Sequence, residues 1–271
     1  MLILSIFIVP KEINALGVPH KKLDARIMTF NIHAGIGSDA VYDRERIAKE
    51  IKAAGADIVG LQEVDVHWGM RSNNENLIKE LAKDLNMHYA FAPIYDFEPT
   101  ADGAPRRQYG VGVLSKYPIL QTTNHSITRL STQDPNPVPS LSPGFLEVLL
   151  NIKGTKLSFY VTHLDFREDP SVRNRQVQDM LEIMSNNRHV KILAGDMNTT
   201  PCSPEISPLF RYFKDAWSEI NSSPGFTYSA ENPTQRIDYL FMSNQIMVKS
   251  AEVPFTLASD HLPVIADITL K

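Results

Sequence analysis

The chain has 271 residues, 43% of them hydrophobic, with a net charge of −4 and a pI near 6.1. That length supports one sizeable core, so a single large domain is expected rather than two. The acidic balance argues against non-specific nucleic-acid binding and fits a small, locally held phosphate ligand. The single cysteine, Cys202, excludes a disulfide framework and a cysteine-ligated zinc site, and reads as a small core or loop residue.

Leu2–Val9 is apolar but too short to span a bilayer, and no basic residues precede it as a signal peptide requires. Residues 1–24 are read as an N-terminal extension, with the remnant of a signal segment as the alternative, and 25–271 as the folded domain. No other stretch approaches transmembrane length, so the expected location is cytoplasmic or secreted rather than integral to a membrane.

Residues 26–32 read as a first strand. A helix is expected over 43–54, with Ile47, Ile51 and Ala54 on one face and Gly55 as its stop. Ile58–Leu61 is a short buried strand ending at Gln62-Glu63, and a second helix covers 74–86. Strands follow over 88–92, 110–114, 119–127, 145–152 and 156–163, then a third helix over 171–186 and strands over 190–195, 237–242, 246–253 and 263–269. Stretches 96–108 and 128–143 read as long loops, the second rich in proline. The pairs 110–114/119–127 and 145–152/156–163 read as hairpins. The expected architecture is a four-layer α/β/β/α sandwich: two packed mixed sheets with helices on the outer faces.

Polar residues recur where apolar strands end. Asn31, Glu63, His163, Asp196 with Asn198, and Asp260 with His261 all stand there, and Asp238 opens a strand. Burying such groups without partners costs roughly 1–3 kcal/mol each, so a fold collects them only where they satisfy one another or a ligand. Oxygen donors of this kind suit a hard divalent cation such as Mg²⁺ or Mn²⁺. Glu63 is the best direct ligand, with Asn31 orienting it. His163 is a candidate donor to a phosphoryl oxygen, and Asp165 a support for its loop. Asp196 and Asn198, two apart, share a side in extended backbone and are suited to holding a water for in-line attack; Gly-Asp-x-Asn is equally turn chemistry. Asp238 or Asp260 is expected to orient His261 while the other approaches the cation. Each residue alone has an ordinary structural reading; their joint placement does not. Lys116, Arg106 and Arg107 are candidate phosphate holders beside the cleft, with ordinary surface charge favoured for at least two of them.

Seven blocks carry a resemblance: Thr29-Phe30-Asn31-Ile32-His33, Leu61-Gln62-Glu63-Val64-Asp65, Leu114-Ser115-Lys116-Tyr117-Pro118-Ile119, Thr162-His163-Leu164-Asp165, Gly195-Asp196-Met197-Asn198, Arg236-Ile237-Asp238-Tyr239 and Ser259-Asp260-His261. Together they resemble the endonuclease/exonuclease/phosphatase superfamily, which includes pancreatic-type DNases, AP endonucleases, neutral sphingomyelinases and inositol-polyphosphate phosphatases. The resemblance implies the four-layer sandwich and one or two Mg²⁺ or Mn²⁺ ions. It implies Glu63 on the metal with help from Asn31, and Asp260 nearby. It further implies Asp196 and Asn198 on the nucleophilic water, Asp238 paired with His261, and His163 on the scissile phosphate. Arg173-Asn174-Arg175-Gln176 matches a stretch common in the helix after the His-Leu-Asp block.

Two departures bear on substrate. His33 stands where AP-endonuclease relatives tend to have a carboxylate or amide, and Val111 stands where many relatives have an active-site asparagine. The Asn31-Ile32-His33-Ala34-Gly35 block is more similar to a broad bacterial hydrolase group, and to a domain associated with GPI-anchor remodelling, than to the DNA-repair branch. The expected activity is hydrolysis of a phosphodiester or phosphomonoester in a lipid, small molecule or nucleic acid. A nuclease is the alternative within the enzyme class, and a catalytically silent binding domain the alternative outside it. A monomer without protein partners is expected.

Overall fold

The computed structural model describes residues 22–270. The expectation for residues 1–24 falls almost wholly outside the described residues. The first strand, β1 (Leu23–Asn31), begins three residues before its expected start. In chain order follow α1 (Arg44–Ala54), β2 (Ile58–Val66), α2 (Leu77–Leu85), β3 (His88–Phe97), β4 (Arg107–Ser115), β5 (Ile119–Arg129), β6 (Ser140–Ile152) and β7 (Thr155–His163). The chain continues with α3 (Ser171–Ser185), β8 (Val190–Asp196), α4 (Ser207–Tyr212), β9 (Lys214–Asp215), α5 (Ala216–Ile220), β10 (Asp238–Met242), β11 (Ile246–Glu252) and β12 (Val264–Leu270).

Two six-stranded mixed sheets result, ordered β11-β12-β1-β2-β4-β3 and β5-β6-β7-β8-β10-β9. Period-two alternation sends Ile27 of β1 and Leu157, Phe159 and Val161 of β7 into the seam between the sheets. Met28 and Phe30 face outward under α1 and α2, while Tyr160 faces outward under α3. With both faces covered, these strands read as unbroken apolar runs. A Cβ at Gly60 would lie 3.0 Å from the Ala194 Cβ and 3.1 Å from Val161 Cγ2, so glycine lets the two sheets close together there. The helix ends obey local rules: the Asp43 and Asn76 side chains accept from the backbone N–H three residues on, and Gly55 and Asn86 stop their helices in the left-handed region.

Several expectations need correction. The pair 110–114/119–127 is not a hairpin, because β4 lies between β2 and β3 in one sheet and β5 edges the other. The connection fixes this handover: the Lys116 N–H donates to the Asp57 carbonyl at 2.9 Å, and the Pro118 carbonyl accepts from Asn151 N at 3.1 Å. The pair 145–152/156–163 does form a hairpin, β6–β7. Both long loops shrink, to 98–106 and 130–139, as strands extend into them. Pro143 sits inside β6 where the register slips against β5, a bulge position that needs no ladder N–H. The short elements α4, β9 and α5 were not expected; at two to six residues they are too brief to display a period.

Candidate active site

Register builds the site. His163 of β7 pairs with Asp196 of β8, which in turn pairs with Asp238 of β10, so three chemical side chains lie in one row across adjacent strands. Gly195 makes the row possible: a Cβ there would sit 2.4 Å from the Thr162 carbonyl oxygen. From the other sheet Asn31 reaches across. Its Nδ2 donates to Glu63 Oε1 and to Asp196 Oδ2, both at 3.1 Å, while its Oδ1 accepts from His33 N at 3.1 Å. The Ser259 hydroxyl donates to the Asn31 carbonyl at 2.8 Å, anchoring the segment that carries Asp260 and His261.

Glu63 is not at a strand end. The strand β2 runs on to Val66, and its register against β4 slips between Leu61 and Val64. Glu63 occupies that bulge with φ 56, an uncommon conformation for a non-glycine residue and one that re-aims its carboxylate. Asn198 is not extended either. Its φ is 50, its N–H donates to Asp196 Oδ1 at 2.8 Å, and its Nδ2 donates to the Leu164 carbonyl at 3.0 Å. The turn reading therefore holds for its backbone, while Asn198 still lines the same cavity as Asp196.

His261 Nδ1 lies 2.9 Å from Asp238 Oδ2, and its Nε2 lies 3.7 Å from Asp196 Oδ2. Burial alone would lower the His261 pKa, but the charges of Asp238 and Asp196 outweigh it and raise it to about 10. The imidazole thus sits between two buried acids that favour its charged form. Burial, joined by the Asp238 charge, raises the Asp196 pKa. Burial would also raise that of Glu63, yet the His163 charge and the Asn31 hydrogen bond more than offset it and lower the pKa. His163 Nε2 stands 3.6 Å from Asp196 Oδ2, and Asp260 Oδ1 stands 3.7 Å from His33 Nδ1.

All eight predicted site residues converge, and six of them, Glu63, His163, Asp196, Asn198, Asp260 and His261, line one cavity of about 640 Å³. Asn31 and Asp238 stand behind these, bonded to them. The donor set fits a divalent cation. Asp196, Asp238 and His261 offer ligand atoms within 4.8 Å of one another, and Asp238 Oδ1 is buried without a hydrogen-bond partner. Among the described residues no lysine or arginine pairs with Glu63, Asp196, Asp238 or Asp260, which leaves an oxygen-rich negative corner.

The cavity's support comes from α3. Arg173 is buried, donates to Glu205 Oε1 from Nε at 3.1 Å and from Nη2 at 3.0 Å, and holds the Asp165 carbonyl at 3.0 Å. Gln176 Oε1 accepts from Asp165 N at 2.9 Å, and the Asp165 carboxylate pairs with Arg167, fixing the loop after His163. The cations expected beside the cleft lie elsewhere. Lys116 pairs with Asp57 at 3.0 Å, Arg106 pairs with Asp96 at 2.7 Å, and Arg107 lies over the Trp68 and Phe97 rings. The cavity is lined instead by Arg71 and Arg129, with an aromatic wall of Trp68, Tyr95 and Tyr109. Arg71 is bound in two-fold fashion to Asp65, at 2.8 and 2.7 Å. Sequence reading missed these; the strand-end rule that finds Asn31 finds Arg129 only once β5 is extended by two residues.

Two sheets thus deliver acids, amides and imidazoles to one oxygen-rich cavity. The chain belongs to the Endonuclease/Exonuclease/phosphatase family, whose pattern matches residues 28–261. It is similar to Protein cwh43 of Schizosaccharomyces pombe (strain 972 / ATCC 24843), at 26% identity over 181 residues, 65% of this chain and 16% of that protein. The chain thus spans about one sixth of that relative's length. Among solved structures it is similar to an endonuclease/exonuclease/phosphatase from Beutenbergia cavernae DSM 12333, with a TM-score of 0.72, 23% identity, and 91% of this chain and 72% of that one covered. It is also similar to the mannosyl-6-phosphatase Bt3783 of Bacteroides thetaiotaomicron VPI-5482, with a TM-score of 0.67, 17% identity, and 90% and 99% covered. Among the described residues no helix is long and apolar enough to cross a membrane.

Proposed function

We propose that this chain is a Mg²⁺- or Mn²⁺-dependent phosphoesterase acting on a small phosphorylated molecule. One observation carries the reading: the His163–Asp196–Asp238 row, with His261 bonded to Asp238 beside it and Asn31 linking it to Glu63. When bound, the cation would neutralise charge developing on the phosphoryl oxygens. Glu63 and Asp260 would hold it, with Asn31 fixing Glu63. His261, held by Asp238, is placed to donate a hydrogen bond to the phosphoryl group. Asp196 accepts a proton from the attacking water, and Asn198 keeps Asp196 in place through its backbone N–H. His163 donates to a phosphoryl oxygen from the opposite side of Asp196. The new bond is water oxygen to phosphorus, and the bond broken joins phosphorus to the alcohol oxygen.

A nuclease fits less well. Of the two arginines in the cavity, Arg71 is already neutralised by Asp65, and the net charge of −4 gives a polyanion little general attraction. A silent binding domain fits less well again, because the acids, amide and imidazoles are present and mutually oriented. The test is turnover of nitrophenyl phosphate, bis-nitrophenyl phosphate, hexose phosphates and plasmid DNA with Mg²⁺ or Mn²⁺. Small-ester hydrolysis with a shallow salt dependence supports the reading. Plasmid nicking that falls steeply with salt assigns a nuclease, and silence on every substrate favours the binding domain.

A further inference from the structure

We propose that Arg129 anchors a second anion subsite in the cleft, holding a non-scissile phosphate of the substrate while the ring of the leaving group lies against Trp68, Tyr95 and Tyr109. The role of the scissile phosphate rests on the phosphoesterase reading above; the subsite itself does not.

The charge balance of Arg129 distinguishes it from Arg71, the other arginine lining the cavity. Arg129 Nε donates to the Pro143 carbonyl at 2.8 Å, Nη1 to the His163 carbonyl at 3.2 Å, and Nη2 to the Gly144 carbonyl at 2.8 Å. Carbonyls orient a guanidinium but do not neutralise it. Arg71, Arg106, Arg167 and Arg173 each pair with a carboxylate, whereas among the described residues Arg129 has none within ion-pair distance. Its surroundings are packed enough that burial lowers its pKa to about 10, well within the charged range at neutral pH. A guanidinium carries five N–H groups, and three are spent on carbonyls, so two remain for an anion. A desolvated cation at a cavity wall gains most from an anion that enters the cavity.

Its position is built, not incidental. A Cβ at Gly144 would lie 2.9 Å from Arg129 Nη2, so glycine there, at φ 117, leaves room for the guanidinium. The loop that follows is pinned, with Arg167 donating to the Leu130 carbonyl at 3.2 Å and the Ser131 carbonyl at 3.1 Å, and Thr132 N donating to the Tyr95 hydroxyl at 2.8 Å. The bond to the His163 carbonyl places Arg129 beside a residue of the candidate site, on the wall of the same cavity. Tyr95 and Tyr109 stand near enough to act on Arg129 electrostatically, and their rings pack 6.1 Å apart, with Trp68 6.2 Å from Tyr95. Such a wall accepts the flat face of a sugar or a base.

The test is calorimetric binding of matched pairs to the full chain with Mg²⁺: a hexose bisphosphate against the hexose monophosphate, and a nucleoside bisphosphate against the nucleoside monophosphate. The bisphosphate should bind on the order of 10- to 100-fold more tightly than its monophosphate, the gain expected of a charge-assisted contact. In Arg129→Gln that ratio should collapse toward one, and in Arg129→Lys it should be partly retained. Preference for the hexose pair assigns a polyol to the wall; preference for the nucleoside pair assigns a base and keeps the anion subsite. A wild-type ratio near one overturns the proposal whether or not the variants fold. So does an Arg129→Gln protein that weakens both members of a pair equally, which is the signature of a purely structural arginine. Tight bisphosphate binding without turnover supports the subsite while refuting the phosphoesterase reading.

Discussion

Replacing Asp238 with asparagine keeps the shape of the site and removes one charge. In the native chain the His261 pKa stands near 10 against an ordinary 6.5, because the Asp238 and Asp196 charges overcome the lowering effect of burial. At about 1.4 kcal/mol per pH unit, that difference corresponds to roughly 5 kcal/mol favouring the charged ring in the cation-free protein, as an order of magnitude. Asp238 is the larger of the two raising charges and also supplies the 2.9 Å hydrogen bond. Without it, burial regains the upper hand, and the pKa of His261 should fall into or below the neutral range. An imidazole that is neutral at pH 8 loses one donor toward the phosphoryl group, and losing such a donor costs about 10²–10³ in rate. Ring-nitrogen NMR of His261 in native and Asp238→Asn protein reads the protonation directly, and kcat/KM on a phosphoester reads the consequence. A ring still charged at pH 8 in the variant, or native kcat/KM, would refute the reasoning.

The same charge cluster fixes the pH dependence of stability. A folded-state pKa raised above 6.5 stabilises fully below that pH, and the contribution is lost as pH rises through 10, so chelated native protein should lose thermal stability across that window while Asp238→Asn stays flatter. Equal slopes would count against the ion triad. Arg173→Ala strands the buried Glu205 carboxylate and frees the Asp165 carbonyl, and should cost about 3–5 kcal/mol in denaturant unfolding; a loss below about 1 kcal/mol contradicts that clamp. Gly195→Ala drives a methyl against the Thr162 carbonyl, 2.4 Å away, and forces β7 from β8. It should lower the melting temperature and abolish turnover together, so an active, native-like variant would show that the strands tolerate the side chain.

Much of the site is legible because apolar strands announce where they end. Asn31, His163 and Asp196 each close such a run, and in the fold they stand at one end of two sheets. Glu63 was identified for a partly mistaken reason: it interrupts a strand through a bulge rather than ending one, and a left-handed residue inside a strand leaves no trace in hydrophobic periodicity. The short link between the apolar strands β4 and β5 looks like a hairpin in sequence, yet the two strands belong to different sheets. What separates the strands is long-range, the Lys116 bond to Asp57 and the Pro118 bond to Asn151. Arg71, Arg129 and the aromatic wall were missed because they come from bulges and loop margins whose approach to the site is set by tertiary packing alone.

Phosphoester turnover by purified native and Asp196→Asn protein, first with chelator and then with Mg²⁺ or Mn²⁺ restored, tests the metal-dependent phosphoesterase reading most directly. The expected result is no turnover under chelation, recovery with either cation in the native chain, and loss of at least about 10²-fold in the variant. Chelator-resistant hydrolysis, or an Asp196→Asn protein that works at the native rate, would contradict it.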